Sequence, residues 1–356
     1  MRRTASGRVR LAAALTVASL GLLACGSNDS GGGSDTAEPG ASSGAGAEKT
    51  VKVGLAYDIG GRGDQSFNDS AAAGLDKAVS ELGVEVKEAE AGADEADSAK
   101  EERLRVLASS GLNPVIAVGF AYAGPLGKVA PEFPDTSFAI VDNADAKGEN
   151  ISNLVFAEEQ GSFLVGVAAA LKSKTGNVGF IGGVQVPLIA KFEAGFKAGA
   201  EAAKPGIKVQ STYLTQPPDF SGFGDPAKGK TAAEGMFDAG ADVVYHAAGG
   251  SGGGLFEAAA AAGGLAIGVD SDQYETAAPE VKEVILTSML KKVDVAVFDF
   301  ISSFVEDAVE AGPLLYDLER GGVDYSKSGG KVDDIAAQLD DYKAKIISGE
   351  ITVPTE

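Results

Sequence analysis

The chain has 356 residues, of which 44% are hydrophobic and 23% charged, a balance typical of a soluble globular protein with about two folded units. One Cys and one His, His246, exclude a disulfide framework and a multi-thiolate metal site, and argue against His-ligated zinc and a Ser-His-Asp hydrolase. The net charge of −21 repels phosphate backbones, which disfavours nucleic-acid binding but not a neutral ligand.

The amino terminus joins a basic start to a short apolar segment. Four Arg accompany an apolar run of 14 residues, Leu11–Ala24, whereas a permanent membrane helix needs about 20. Such a segment is typical of a secretory signal over residues 1–24. Its end, Leu22-Leu23-Ala24-Cys25, resembles a bacterial lipoprotein box, which predicts cleavage before Cys25 and acylation of its thiol. A plain signal peptide with an incidental Cys is the alternative.

The segment after Cys25 is predicted to be a flexible linker that ends at residue 48. Residues 26–48 are rich in Gly, Ser, Ala and Asp, so they cannot bury enough apolar surface to fold. A tether of 23 residues would reach roughly 26 Å root-mean-square. The chain from Cys25 onward carries 26 basic and 51 acidic residues, a net charge of −25.

The rest of the chain alternates predicted strands and helices. In the first half we predict strand Val51–Tyr57, helix Asn68–Leu82, strand Val84–Glu90, helix Ser98–Ser110 and strands Pro114–Gly119, Ser137–Asp142 and Ile151–Phe156. In the second half we predict helix Gln160–Lys172, strand Val178–Ile181, helix Pro187–Ala203, strand Ile207–Leu214, helix Pro226–Ala239, strand Asp242–Tyr245, helix Gly254–Ala262, strands Leu265–Asp270 and Val284–Ser288, and helix Asp294–Val309. A polar hairpin-like piece and a helix near 333–347 end the chain.

This alternation predicts an α/β fold with parallel, doubly wound sheets. The strands are too numerous for one ordinary open sheet, so we expect two similar lobes. The first would comprise residues 49–157 with about 286–312, and the second residues 158–285 with about 313–356.

Candidate binding residues follow the predicted strands, because ligands of such sheets bind beyond the carboxyl ends of the strands. Taken singly, each has a structural explanation: turn geometry for a Gly, helix capping for an Asp, the core for a Phe and a solvated surface for a Lys. Their convergence on one rim favours a ligand site instead. The candidates are Asp58, Phe67, Asn68, Asp142, Phe192, Gly249, Asp270 and Lys291.

One motif is expected to mislead. Residues 224–231 read Gly-Asp-Pro-Ala-Lys-Gly-Lys-Thr and fit the phosphate-loop pattern. A phosphate loop needs a strand directly before its first Gly, but the predicted strand ends near Leu214. We therefore expect a turn that leads into a helix.

Several ordered blocks resemble the basic membrane protein (BMP) family of substrate-binding lipoproteins, which serve ABC transporters and include purine nucleoside receptors. The resemblance covers about Val51 to Pro354. The blocks are Val53-Gly54-Leu55 with Asp58 and Ser66-Phe67-Asn68, Phe138-Ala139-Ile140-Val141-Asp142, Val178-Gly179-Phe180-Ile181-Gly182-Gly183 with Pro187-Leu188-Ile189, Lys191-Phe192-Glu193-Ala194-Gly195-Phe196, Asp225-Pro226-Ala227-Lys228-Gly229-Lys230, Gly268-Val269-Asp270-Ser271-Asp272-Gln273 and Ser288-Met289-Leu290-Lys291.

The resemblance implies a two-lobed type I periplasmic-binding-protein fold with three crossovers and a ligand cleft between the lobes. It implies that Phe67 and Phe192 stack on a purine base. It further implies that Asp58, Asn68 and Asp142 meet the edge of the base, while Asp270 and Lys291 meet the ribose hydroxyls. The Gly-rich loop at residues 60–63 departs from the family pattern and leaves the preferred base open.

The function that follows is capture of inosine, guanosine or adenosine by a monomer that delivers it to an ABC permease. The protein would sit outside the cell membrane on its lipid anchor, without cofactor or metal. A receptor for a sugar or another small polar ligand is an alternative, as is a signalling or surface lipoprotein. An enzyme is least favoured, because no nucleophile–His pair or metal cluster is evident in the sequence.

Overall fold

The computed structural model describes residues 50–92 and 95–356. The expected signal peptide, Cys25 and the linker up to residue 48 lie outside the described residues. The described part of the chain contains these strands: β1 (Lys52–Ala56), β2 (Glu85–Ala89), β3 (Val115–Ala117), β4 (Phe138–Val141), β5 (Ile151–Phe156), β6 (Asn177–Val184), β7 (Lys208–Thr215), β8 (Val243–Ala247), β9 (Leu265–Asp270), β10 (Ile285–Lys291), β11 (Gly312–Tyr316) and β12 (Val323–Tyr325).

Helices connect most of these strands, as the sequence pattern predicts. They are α1 (Phe67–Leu82), α2 (Asp97–Ser109), α3 (Ala123–Val129), α4 (Glu158–Lys172), α5 (Pro187–Ala203), α6 (Pro226–Asp238), α7 (Gly252–Ala262), α8 (Gln273–Thr276), α9 (Pro279–Lys282), α10 (Val293–Val305) and α11 (Ala336–Ile347). Helices α3, α8 and α9 were not predicted from the sequence. In the described chain no helix combines the length and apolarity needed to cross a membrane.

The strands form two sheets with the same order. One sheet is β11-β5-β4-β3-β1-β2 and the other is β12-β10-β9-β8-β6-β7. All pairs are parallel except β10 with β12. Strands β3 and β4 are apolar and fully buried, as expected where helices cover both faces of a sheet, whereas edge strand β2 carries charges. The predicted two-lobed α/β fold is confirmed.

The chain crosses between the lobes three times, and two crossings differ from the expected positions. Strand β10 pairs with β9, so the second lobe extends to Lys291 instead of ending near residue 285. Strand β11 pairs with β5, so the first lobe regains the chain up to Tyr316 instead of 312. The expected hairpin-like piece is also wrong, because β11 and β12 belong to different sheets. The apolar pattern of a strand identifies the strand but not the sheet that it joins.

Close packing between two helices fixes the position of one wall of the cleft. Helices α4 and α5 lie so near each other that a Cβ on Gly199 would be 1.9 Å from the Phe163 carbonyl oxygen, and one on Gly195 would be 2.1 Å from that of Glu159. Only Gly permits this approach. The contact fixes α5, which carries Phe192, against the beginning of α4.

The phosphate-loop pattern lies where a helix starts, as predicted. Helix α6 begins at Pro226, and the Asp225 carboxylate caps it by accepting a hydrogen bond from the Lys228 N–H at 3.0 Å. The Lys230 ammonium pairs with Glu257 at 3.0 Å on the surface. These residues therefore form a capped helix start.

Candidate ligand-binding cleft

A cavity of about 550 Å³ lies between the lobes, at the carboxyl ends of both sheets. All eight candidates from the sequence line it: Asp58, Phe67, Asn68 and Asp142 from the first lobe, and Phe192, Gly249, Asp270 and Lys291 from the second. The topology therefore brings together residues that are up to 233 positions apart in the chain.

A buried ion pair joins the lobes inside this cavity. Lys291, the last residue of β10, is 2% exposed, and its Nζ lies 2.5 Å from Asp142 Oδ2 and 3.8 Å from Glu158 Oε1. Burial by itself lowers the pKa of Lys291, but the carboxylates of Asp142, Glu158 and Asp270 outweigh it and raise that pKa above its usual value. Lys291 is therefore held as a cation.

The other Asp142 oxygen is available to a ligand. Asp142 Oδ1 is buried and has no hydrogen-bond partner among the described residues. A buried carboxylate oxygen without a hydrogen bond destabilises the protein unless a bound group donates a hydrogen bond to it. A ligand with a hydroxyl or N–H group would provide that donor.

Two aromatic rings face the same cation from opposite lobes. Phe67 is the first residue of α1, Phe192 lies on α5, and Lys291 Nζ is 4.9 Å from the Phe67 ring centroid and 5.5 Å from that of Phe192. The Phe156 ring is 5.2 Å from the same nitrogen. All three distances fall within cation–π range. Phe67 and Phe192 thus flank one shared hollow.

Asp58 is held at the first-lobe wall by Asn68. The Asp58 N–H donates to Asn68 Oδ1 at 3.0 Å, while Asn68 Nδ2 donates to the Ile59 carbonyl at 3.2 Å and to Asp64 Oδ2 at 3.0 Å. Both amide hydrogens of Asn68 are therefore engaged within the lobe, which makes it a positioning residue for Asp58. Burial raises the pKa of Asp58 to about 6, against the opposing effects of the Ile59 N–H and Lys100.

Asp270 is shared between the ligand cavity and the interlobe contact. Its Oδ2 accepts a hydrogen bond from Ser66 Oγ of the first lobe at 2.7 Å. Burial raises the pKa of Asp270 to about 6, although Lys291 and Ser66 oppose the shift. A second contact joins the same loops, because Gln273 Nε2 donates to the Gln65 carbonyl at 3.0 Å.

Two glycines line corresponding places in the lobes. Gly119 follows β3 with φ of 105°, and Gly249 follows β8 with φ of 52°. A Cβ on Gly119 would lie 2.2 Å from Asp58 Oδ2, and one on Gly249 would lie 3.0 Å from the Phe223 carbonyl oxygen. Both positions therefore need Gly for backbone conformation and for space.

Several residues near the cavity were not among the candidates. Phe120 directly follows Gly119 after the end of β3, so it could have been chosen as a candidate in the same way as the other residues that follow strands. Asp64 lines the cavity and accepts the N–H groups of Ser66, Asn68 and Asp69 at the start of α1. Phe223 lies in the long connection after β7, where no sequence signal points to a ligand.

Glu158 was also missed, although it lies beside Lys291. It is 1% exposed, in the first turn of α4, and burial raises its pKa against the effect of Lys291. The only feature of the sequence that could have indicated Glu158 as a site residue is its position where the chain first crosses between the lobes.

His246 has a structural place behind the cavity. Its Nε2 lies 2.9 Å from Gln273 Oε1, and burial lowers the pKa of His246 to about 4. The ring is fully buried on β8, so it supports Gln273 and the interlobe contact that Gln273 makes.

This architecture, with two similar lobes, three crossings and a polar and aromatic cleft, defines a solute-binding protein. Residues 50–356 match the Bmp family model, described as ABC transporter substrate-binding protein PnrA-like. The chain belongs to this family, so the resemblance seen in the sequence is confirmed.

Individual relatives agree with the assignment. The chain is similar to the "ABC transporter nucleoside-binding protein BmpA" of Lactococcus lactis subsp. cremoris, with 33% identity over 98% of this chain and 99% of the relative. It is also similar to a protein of Pyrococcus abyssi whose name calls it a lipoprotein, with 32% identity over 89% of this chain and 77% of the relative. Among solved structures, an ABC transporter solute-binding protein from Aeropyrum pernix K1 superimposes with a TM-score of 0.75 and 30% identity, covering 86% of this chain and 94% of that one.

Proposed function

We propose that this substrate-binding protein captures purine nucleosides between its lobes. The observation that carries the proposal is the pair Phe67 and Phe192, which belong to opposite lobes and flank one cavity. A purine has two aromatic faces, and stacking of a base on an aromatic side chain contributes about 1–3 kcal/mol. Closure of the lobes would bring one ring to each face of the base.

The polar groups around these rings suit the edges of a nucleoside. Asp58 is mostly ionised at pH 7 and would accept hydrogen bonds from ring N–H and amino groups. The free Asp142 oxygen, Asp270 and Lys291 would meet the ribose hydroxyls, which both donate and accept. This assignment moves Asp142 from the base edge, expected from the resemblance, toward the sugar, because its ion pair ties it to Lys291.

The charge of the cavity favours a neutral ligand over a nucleotide. Carboxyl groups of Asp58, Asp64, Asp142 and Asp270 line it, whereas Lys291 is the cation among its lining residues and already pairs with Asp142. A phosphate would face these carboxylates without an unpaired cation. Nucleosides are therefore preferred to their phosphates.

Nucleoside capture would be the first step of an import cycle, on the outer side of the cell membrane. Cys25 would carry the lipid anchor, in line with the lipoprotein name of the Pyrococcus relative. Hinge closure over the nucleoside would create the form that docks, as a monomer, on an ABC permease. Family membership and the nucleoside-binding name of BmpA support this scheme.

Calorimetric titration of the purified protein tests the ligand class. Inosine, guanosine and adenosine should bind with micromolar or tighter affinity, while cytidine, ribose, free bases and inosine monophosphate should bind much more weakly. Ribose binding as tightly as inosine would replace the nucleoside proposal by the sugar alternative. Formation of a product on incubation would indicate an enzyme instead.

A further inference from the structure

A second cavity of about 570 Å³ adjoins the candidate nucleoside site. We call it the annex. Asp58, Ile59, Phe120 and Phe223 line both cavities, whereas Glu95, Lys100 and Phe220 line only the annex. A wall of shared side chains therefore separates the two spaces.

Aromatic side chains from both lobes form much of this wall. The Phe120 ring of the first lobe meets the Phe220 and Phe223 rings of the second edge-on, with centroids 6.0 and 6.4 Å apart. All three side chains are half-buried, so a change of rotamer would open the wall without unfolding a strand or helix. The annex thus offers apolar sides to a chain that enters from the nucleoside site.

The polar end of the annex contains one cation among its lining residues, Lys100, which lies beside the Glu95 carboxylate. Lys100 is 5% exposed, and its Nζ lies 3.7 Å from Glu95 Oε1 and 3.4 Å from the Glu95 carbonyl oxygen, longer than ordinary hydrogen bonds. Both carboxylate oxygens of Glu95 also accept bonds from Arg103. One carboxylate therefore serves two cations, and Lys100 retains donor capacity for an anionic acceptor.

We propose that the annex binds an acidic substituent on the base of a nucleoside, attached to the edge that meets Asp58. The inference rests on the proposed nucleoside function. Asp58 lines both cavities. A substituent attached to the base next to the atom that contacts Asp58 would therefore extend past the Asp58 carboxyl group into the annex. The Phe rings cover the alkyl part, and Lys100 pairs with the terminal carboxylate. The nucleoside site itself offers such a group no unpaired cation.

Three ligands that differ only at the exocyclic amine test this proposal. The purified protein is titrated with adenosine, N6-butyladenosine and N6-(3-carboxypropyl)adenosine. The acidic ligand should bind at least as tightly as adenosine and about tenfold more tightly than the butyl compound. Lys100→Met should abolish that tenfold advantage, measured within the variant as the ratio of its affinities for the acidic and butyl compounds, while Lys100→Arg should retain it. Lys128→Met removes an exposed Lys of the same lobe, paired with Glu101 at 2.6 Å, and is the matched control.

The outcomes separate this inference from the function on which it rests. If adenosine binds but the acidic and butyl compounds bind equally, or both are excluded, the annex proposal is overturned and nucleoside capture stands. If no purine nucleoside binds, both proposals fail. Thermal unfolding of each variant checks its fold, and a salt-dependent loss of the acidic ligand's advantage in the unmodified protein supports the ion pair without any substitution.

Discussion

Asp142 and Asp270 occupy the same position in the two lobes. Asp142 follows β4 and Asp270 ends β9, each the third strand of its sheet in the shared order. Both have a left-handed backbone, with φ of 66° and 64°. This conformation is uncommon outside Gly, although Asp tolerates it better than most residues. The two lobes thus bend the chain in the same way to aim a carboxylate at the cleft, and Lys291 lies near both.

The first prediction concerns the aromatic pair. Phe67→Ala or Phe192→Ala should each weaken binding of inosine by about 1–3 kcal/mol, because each removes one stacking surface. Calorimetry on the purified variants measures the change. Phe298→Ala, which removes a half-buried ring on α10 beneath Lys77, is the matched control and should bind inosine normally. Unchanged affinity in both site variants would be incompatible with stacking between the lobes.

The second prediction concerns pH and Asp58, whose pKa is raised by burial to about 6 from an ordinary 3.8. If ionised Asp58 accepts a hydrogen bond from the base, the affinity for inosine should fall as the pH drops below about 6. The folding stability should change in the opposite direction and fall as the pH rises. Because the pKa of Asp58 is higher in the folded protein, protonation of Asp58 stabilises the fold. This stabilisation is fully present below pH 3.8 and is lost as the pH rises through 6.

Asp58→Asn separates these two effects. The variant should unfold at higher denaturant concentration than the unmodified protein at pH 7, with no difference near pH 3, and should lose the part of the pH dependence of binding that Asp58 causes. Titrations and denaturant unfolding at several pH values measure both. An Asp58→Asn variant that is less stable at pH 7 would contradict the assignment.

The third prediction concerns the buried ion pair. Lys291→Met should lower the free energy of unfolding by about 3–5 kcal/mol at pH 7, because Asp142 then loses its cation and Glu158 keeps only the partly exposed Lys191, 3.4 Å away. Adding Asp142→Asn to this variant should restore part of the loss by removing one uncompensated charge. Lys327→Met, at an exposed pair with Asp340, should change stability by less than about 1 kcal/mol. Equal losses in the two Met variants would refute a special role for the buried pair.

The fourth prediction tests the packing that positions Phe192. Gly199→Ala should destabilise the protein and weaken ligand binding, since its Cβ would force α5 away from the Phe163 carbonyl. Gly235→Ala on α6 meets nothing within 4 Å and should stabilise the protein by about 0.5–1 kcal/mol through helix propensity. Denaturant unfolding of both variants measures the contrast, and a stabilising Gly199→Ala would show that the helices have room to separate.

The strand ends were the most informative part of the sequence. Residues such as Asp58 and Asp270 could be chosen because parallel strands present their carboxyl ends at one edge, whatever the details of packing. The pairing of Lys291 with Asp142 could not be predicted, because it depends on how the two lobes meet. Phe223 could not be predicted either, because it reaches the cleft from a connection without a periodic pattern.

The amino-acid sequence by itself determined the alternation of strands and helices and which side chains stand at the rim of the sheets. These features depend on local apolar periodicity and on the geometry of parallel strands, which short segments already contain. Only the tertiary structure decided that β10 and β11 join different lobes, that Lys291 forms an ion pair with Asp142 across the cleft, and that an aromatic wall divides the cleft from the annex. The pairing of β11 with β5, the ion pair of Lys291 and the aromatic wall depend on contacts between segments about a hundred or more residues apart, which no local pattern encodes.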